Sequence, residues 1–129
     1  MKVVITGSRE FLDPLEATRV IMWRIAALAP DDLLIHGAAR GADRFAGQAA
    51  KAKGIQVLPV PAQWDVHTDG CGCKNRAWCL DAGKRRNLEM LDMQPDLVIA
   101  FWNGSSGGTR HTIENAEARG IPVEVVKLK

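Results

Sequence analysis

Four side chains with metal-ligating chemistry fall within 13 residues: His67, Cys71, Cys73 and Cys79. Three thiols and one imidazole are the number and kind of ligands that tetrahedral zinc takes. Gly70 and Gly72 let the chain turn between them, and the stretch around them has little apolar content with which to fold by itself. A bound metal would supply what a core cannot supply there. The spacing is not the stronger Cys-x-x-Cys pair, so three free thiols in a loop remain the alternative. A closed four-ligand site would be structural, whereas an open three-ligand site would admit metal-assisted hydrolysis.

A second chemistry lies in small-residue loops that end apolar runs. Leu97–Trp102 stops at Asn103-Gly104-Ser105-Ser106-Gly107-Gly108-Thr109, and a helical pattern follows. Such a loop offers backbone N–H groups and the positive end of a helix to an anion, and Gly107 and Gly108 allow close approach. Lys2-Val3-Val4-Ile5 ends in the same way at Thr6-Gly7-Ser8-Arg9, which adds two hydroxyls and a guanidinium able to grip phosphate bidentately. Leu33-Leu34-Ile35 ends at His36-Gly37-Ala38-Ala39-Arg40-Gly41-Ala42-Asp43. Asp43 either caps the next helix or brings a carboxylate to the site. Arg85 and Arg86 sit at a helix start, where positive charge opposes the dipole unless an anion compensates it; a solvated basic helix end is the plainer reading. Asn87 could bond a ligand or merely satisfy a loop. His111 is either an exposed first-turn residue or a base. Trp64 and Trp102 stand near strand ends, where they could stack on a base or simply pack, and Trp23 is expected in the core.

These loops need a sheet to bring them together. Strand-like runs at 2–5, 33–35, 55–58, 97–102 and 123–126 alternate with helical patterns at 15–28, 42–53, 82–93 and 109–119. Pro14 suits a first helical turn with Asp13 as N-cap, Asp81 is expected to cap the third helix, and Gly54 closes the second. The alternation predicts an α/β, Rossmann-like three-layer sandwich, with a five-stranded parallel sheet of order 3-2-1-4-5 and helices on both faces. Its switch point lies between the first and fourth strands, so the Thr6–Arg9 turn and the Gly104–Thr109 loop become two walls of one crevice.

At 129 residues and 47% hydrophobic, the chain reads as one domain over 1–129, interrupted by a Cys/His-rich insertion at about 65–80. With no leader-like stretch and no long apolar run, it is expected to be soluble and cytoplasmic. Three cysteines fit a disulfide scaffold poorly. A net charge of +2 implies no broad nucleic-acid field, so nucleic acid is not an expected partner, and neither is a membrane.

In this order, the Thr-Gly-Ser-Arg turn, the His-Gly-x-Ala-Arg-Gly-Ala-Asp segment, Arg86-Asn87-Leu88-Glu89-Met90 and the Gly-Gly-Thr loop resemble the SLOG superfamily, named for Smf/DprA and LOG proteins. Within it, the chain is most similar to the small, single-domain YspA/YpsA-related branch of bacteria and phages. The resemblance implies a Rossmann-like sheet that binds a nucleotide or a nucleotide-derived ligand, no organic cofactor, and by analogy a homodimer. LOG relatives hydrolyse the N-glycosidic bond of nucleoside monophosphates, coupling an Arg in Arg-x-x-x-Met to a Glu after the Gly-Thr. Arg86 matches the first. The second is missing: Arg110, His111 and Thr112 follow Thr109, and Glu114 comes about half a turn too late.

Glycosidic hydrolysis needs a carboxylate and an activated water, for which Arg86, Asp43 and His111 are the remaining candidates. The expected ligand contacts are Thr6, Gly7, Ser8, Arg9, Gly37, Arg40, Gly41, Asp43, Arg86, Asn87, Gly104, Ser105, Gly107, Gly108 and Thr109. The missing Glu favours a sensor or sequestering protein over a LOG-like phosphoribohydrolase. DprA-like DNA binding is the weaker third reading.

Overall fold

A computed structural model describes residues 1–129. Five strands, β1 (Lys2–Gly7), β2 (Leu33–His36), β3 (Gln56–Pro59), β4 (Leu97–Trp102) and β5 (Val123–Lys127), alternate with helices α1 (Pro14–Ala26), α2 (Ala42–Lys53), α3 (Ala82–Asp92) and α4 (Gly107–Ala118). All pairings are parallel and the order is β3-β2-β1-β4-β5, as the alternation predicts. The register sets Val4 against Ile35 on one side and Val98 on the other, so the central strands are buried on both faces.

Alternate residues of β1 feed two cores. Val3 and Ile5 join Ile21 and Ile25 of α1, Ala42, Ala46 and Ala50 of α2, and Phe101. Val4 joins Ile35, Val98, Met90 and Leu91 of α3 and Ala116 of α4. Two helices therefore cover each face, and burying their apolar stripes is what holds the sandwich together. The small alanines of α2 let that helix lie close to the sheet. No helix is long and apolar enough to cross a membrane.

Local signals act largely as the sequence predicts. Asp13 accepts the Glu16 N–H at 3.1 Å, Pro14 opens α1, and Gly54 ends α2 with φ of +84°. Three expectations fail. Trp23 is 76% exposed rather than in the core: α1 turns Ile21 and Ile25 inward, and Trp23 lies off that stripe. Asp81 makes no side-chain cap on α3, because its own backbone is helical rather than extended. The fourth helix begins at Gly107, not Thr109, with Ser106 as its N-cap.

Candidate functional site

The switch point is where β1 and β4 lie side by side while their following segments diverge to opposite faces. A crevice of about 400 Å³ opens there. Thr6, Gly7, Arg9, Arg40, Asp43, Arg86, Asn87, Gly108 and Thr109 line it, so all four quoted motifs meet. Glu10, Ala39, Met90, Asn103 and Ser106 complete the wall.

Of the other expected contacts, Ser8, Gly37 and Gly41 sit behind that surface and build it. The Ser8 side chain is fully buried, and its hydroxyl accepts the Asn103 N–H at 3.0 Å. Its N–H donates to the Phe101 carbonyl at 2.9 Å and its carbonyl accepts the Ala42 N–H at 3.2 Å, so Ser8 ties β1 to β4 and α2. Gly41 adopts φ of +83° with its Cα against the backbone of Ser8 and Arg9, where no Cβ would fit. Gly37 gives its N–H to Asp43 and its carbonyl to Arg86. Gly104, Ser105 and Gly107 are exposed on the outer part of their loop. Asn103 Oδ1 accepts from the N–H groups of Ser105 and Ser106 at 2.9 and 3.1 Å and so shapes that loop.

Positive charge dominates the crevice. Arg9 is exposed at its rim. Arg40 pairs with Glu10 at 3.0 Å, a solvent-exposed contact of small energetic weight. Arg86 is half-buried, bonded through Nη1 to the Gly37 carbonyl and through Nε to Asn87 Oδ1 at 3.0 Å. Opposite these lies the start of α4, where Ser106 Oγ accepts the Thr109 N–H. The N–H groups of Gly107 and Gly108 in that first turn have no intrahelical acceptor.

One buried carboxylate faces this charge. Asp43 Oδ2 accepts the N–H of Gly37 at 3.0 Å and of Ala39 at 3.4 Å, so it caps the β2–α2 loop and not its own helix. Burial pushes its pKa up to about 6, against the opposing pull of Arg86, the two N–H groups and Arg9. His111 lies beside the site, with Nδ1 3.4 Å from Asn87 Nδ2, and does not line the crevice. Burial and then Lys84 lower its pKa, against a smaller opposing pull from Glu114. Thr112, in the position of the LOG carboxylate, is fully buried and donates to the Gly108 carbonyl at 3.3 Å, while Glu114 is exposed. Neither reaches the crevice. Trp102 bonds the Ser106 carbonyl and carries Arg110 on its ring; Trp64 covers Gly83; neither offers a face to the crevice.

The Cys/His insertion converges elsewhere. Ligand atoms of His67, Cys71, Cys73 and Cys79 all lie within 4.8 Å of one another. His67 Nδ1 is 3.5 Å from Cys71 Sγ and 3.7 Å from Cys73 Sγ, and Cys73 Sγ is 3.6 Å from Cys79 Sγ. A tetrahedron of zinc–sulfur bonds has edges of about 3.8 Å. The group could therefore hold a metal ion. Its surroundings suit one as well. The Arg76 carbonyl, 3.1 Å from His67 Nε2, favours the tautomer that turns a lone pair of Nδ1 toward the thiols. Arg85 Nη1 donates to Cys79 Sγ at 3.0 Å and lowers that thiol's pKa, and the Leu80 N–H donates to Cys73 Sγ at 3.3 Å. The adjacent arginines thus separate: Arg86 serves the crevice and Arg85 the sulfur cluster.

The expected ligand contacts leave out Glu10, Ala39, Met90, Asn103 and Ser106 among the crevice residues. A signal existed for Ser106, since Ser three residues before Thr109 at the end of a Gly-rich loop is an N-cap pattern. The Asn103 signal was its place directly after a buried strand. Exposed Glu10 left none.

A family model described as YAcAr, the YspA, cpYpsA-related SLOG family, matches residues 1–67. The Gene 61 protein of Mycobacterium phage D29 is 37% identical over 132 residues, covering 95% of this chain and 93% of that protein. DprA (DNA processing protein A) of Streptococcus pneumoniae superimposes with a TM-score of 0.76 at 20% identity, over 99% of this chain and 50% of that one. DprA of Helicobacter pylori, described for its single-stranded DNA binding mode, superimposes with a TM-score of 0.67 at 15% identity, over 100% of this chain and 66% of that one. The chain thus spans half the length of the pneumococcal protein, and at these identities the likeness is one of fold.

Proposed function

The chain belongs to the YspA, cpYpsA-related SLOG family, and from that premise we propose that its switch-point crevice binds a nucleotide or a nucleotide-derived phosphate. One observation carries the reading: Arg9, Arg86 and the N-terminal turn of α4 converge on a single crevice from three separate segments. Guanidinium groups and unpaired backbone N–H groups are complementary to a phosphate, and helix α4 adds its dipole. Thr6 supplies a hydroxyl for a sugar or base, and Asn87 and Asn103, whose amides already bond within the chain, line the same wall. Asp43 restricts the choice further, because an ionised carboxylate repels a second anionic group while a protonated one can donate to it.

The protein acts in this reading as a sensor or sequestering protein, operating as a homodimer. The side chain at the LOG carboxylate position is a sealed threonine, and the crevice offers no replacement at the same place on α4. A second reading, nucleotide hydrolysis, is favoured by one feature: the Asp43 Oδ1 takes no hydrogen bond from the chain, and its pKa of about 6 suits proton transfer. In the same reading His67, Cys71, Cys73 and Cys79 would hold a structural zinc ion, and with all four protein ligands used no position would be left for a reacting water.

The test is incubation with nucleoside monophosphates, cyclic nucleotides, NAD-derived compounds and a single-stranded oligonucleotide, followed by mass spectrometry of the bound and free fractions. Recovery of an intact small nucleotide supports the binder. Released free base supports the hydrolase. Retention of the oligonucleotide alone would replace both with DNA binding.

A further inference from the structure

The cysteine–histidine cluster and the crevice meet at consecutive residues of one helical turn. Resting on the zinc and phosphate readings above, we propose that the zinc centre positions Arg86, so that metal occupancy sets the affinity of the crevice for a phosphate group.

The link runs through the start of α3. Cys79 lies three residues ahead of Ala82, the first residue of that helix. Its N–H donates to the Trp64 carbonyl at 2.6 Å, and its carbonyl accepts the Ala82 N–H at 3.3 Å. The Trp64 ring lies over Gly83 closely enough that a Cβ there would sit 3.3 Å from it. Arg85 clamps the first turn from the side, donating to Cys79 Sγ at 3.0 Å and to the Val66 carbonyl at 2.6 Å. Asp81 contributes no side-chain cap, so this end of α3 takes its place from the sulfur cluster and not from an ordinary N-cap.

Arg86 follows directly and turns the other way, to the Gly37 carbonyl and the crevice. Two guanidinium groups at a helix N-terminus oppose the dipole. A zinc ion with three thiolates and one imidazole carries roughly one net negative charge, which Arg85 offsets. Arg86 has Asp43 and Glu89 as its opposing charges within the chain, and its Nη2 makes no hydrogen bond there, so it can still donate to an external anion. Without metal, the insertion has only a small cluster of Cys73, Cys79 and Ala82 to hold it, and the anchor of Arg85 moves with Cys79. Because the coupling is a free energy between two sites, phosphate must raise zinc affinity by the factor by which zinc raises phosphate affinity.

The full chain is prepared zinc-loaded and chelator-stripped, and inorganic phosphate binding is measured by calorimetry on both. Zinc affinity is measured with and without phosphate, by competition with a chromophoric chelator. Stripping is expected to weaken phosphate binding about tenfold, with the reciprocal gain in zinc affinity. Arg85→Gln, which keeps all four ligands, is expected to retain one zinc per chain yet bind phosphate severalfold more weakly. Equal phosphate affinity with and without zinc overturns the coupling and leaves the crevice reading standing. Phosphate binding by neither form overturns both. Full phosphate affinity in Arg85→Gln removes Arg85 as the connection and overturns the proposed route.

Discussion

The crevice and the cysteine insertion solve one problem, holding polar groups in place, by opposite means. The crevice is made by the sheet. Its loops begin where β1, β2 and β4 stop, and buried strands fix where they stop. The insertion has no helix or strand between β3 and α3, and it gathers four potential ligand atoms within 4.8 Å of one another. In the first region many residues are consumed by construction, as Ser8, Gly37 and Gly41 are, and fewer remain for a ligand. In the second, construction and chemistry are the same residues. Disturbing the metal should therefore act first on stability and, through the start of α3, on phosphate binding, whereas disturbing the exposed crevice side chains should act on binding alone.

Zinc removal is the largest expected effect. With zinc held as proposed, chelation should lower the thermal midpoint by on the order of 10 °C, because metal binding would then be coupled to folding of the loop. An unchanged midpoint would place the insertion with ordinary loops. Gly7→Ala comes next and tests the sheet's half of the contrast. A Cβ at Gly7 would press on the Ala42 side chain and lie 2.8 Å from the Phe101 carbonyl. Denaturant unfolding should register a loss of about 2–3 kcal/mol.

Asp43 gives a pH signature. Its folded pKa of about 6 lies above the ordinary 3.8, so between these values the unfolded chain has lost a proton that the native state retains. Native stability then falls as pH rises through that window, and the deficit is complete above it; it amounts to roughly 3 kcal/mol. Asp43→Asn should flatten this part of the profile. The same ionisation adds negative charge to the crevice. Binding of sulfate, whose charge is constant there, should weaken from pH 5 to pH 7 in the native protein more than in Asp43→Asn. Matching slopes would remove Asp43 from the site.

At the small end, Trp23→Gln on exposed α1 should change stability by no more than about 0.5 kcal/mol. A loss of several kcal/mol would mean that the exposed face is covered in solution.

Much of this architecture is legible in the sequence because it rests on periodic burial. The β-branched runs, the alanine face of α2 and the strand order follow from local pattern and crossover handedness. The Cys/His cluster is legible because three thiols and an imidazole rarely fall within so short a stretch. What the sequence hides is direction. Trp23 carries apolar character but falls on the wrong side of α1. Arg85 and Arg86 look like one basic pair, yet the roughly 100° between consecutive helical residues sends them to different partners. Ser8 and Thr6 look alike in the first turn, and only the register of β1 against β4 decides that Ser8 is sealed while Thr6 lines the crevice.

The central claim is that the crevice grips a phosphate between α4 and Arg86. Calorimetric titration of the zinc-loaded protein with nucleoside monophosphates and their parent nucleosides tests it most directly. At least one monophosphate should bind, its nucleoside should bind at least about 100-fold more weakly, and Arg86→Ala should erase most of that difference. Equal affinity for nucleoside and monophosphate, or unaltered discrimination in Arg86→Ala, would contradict the account.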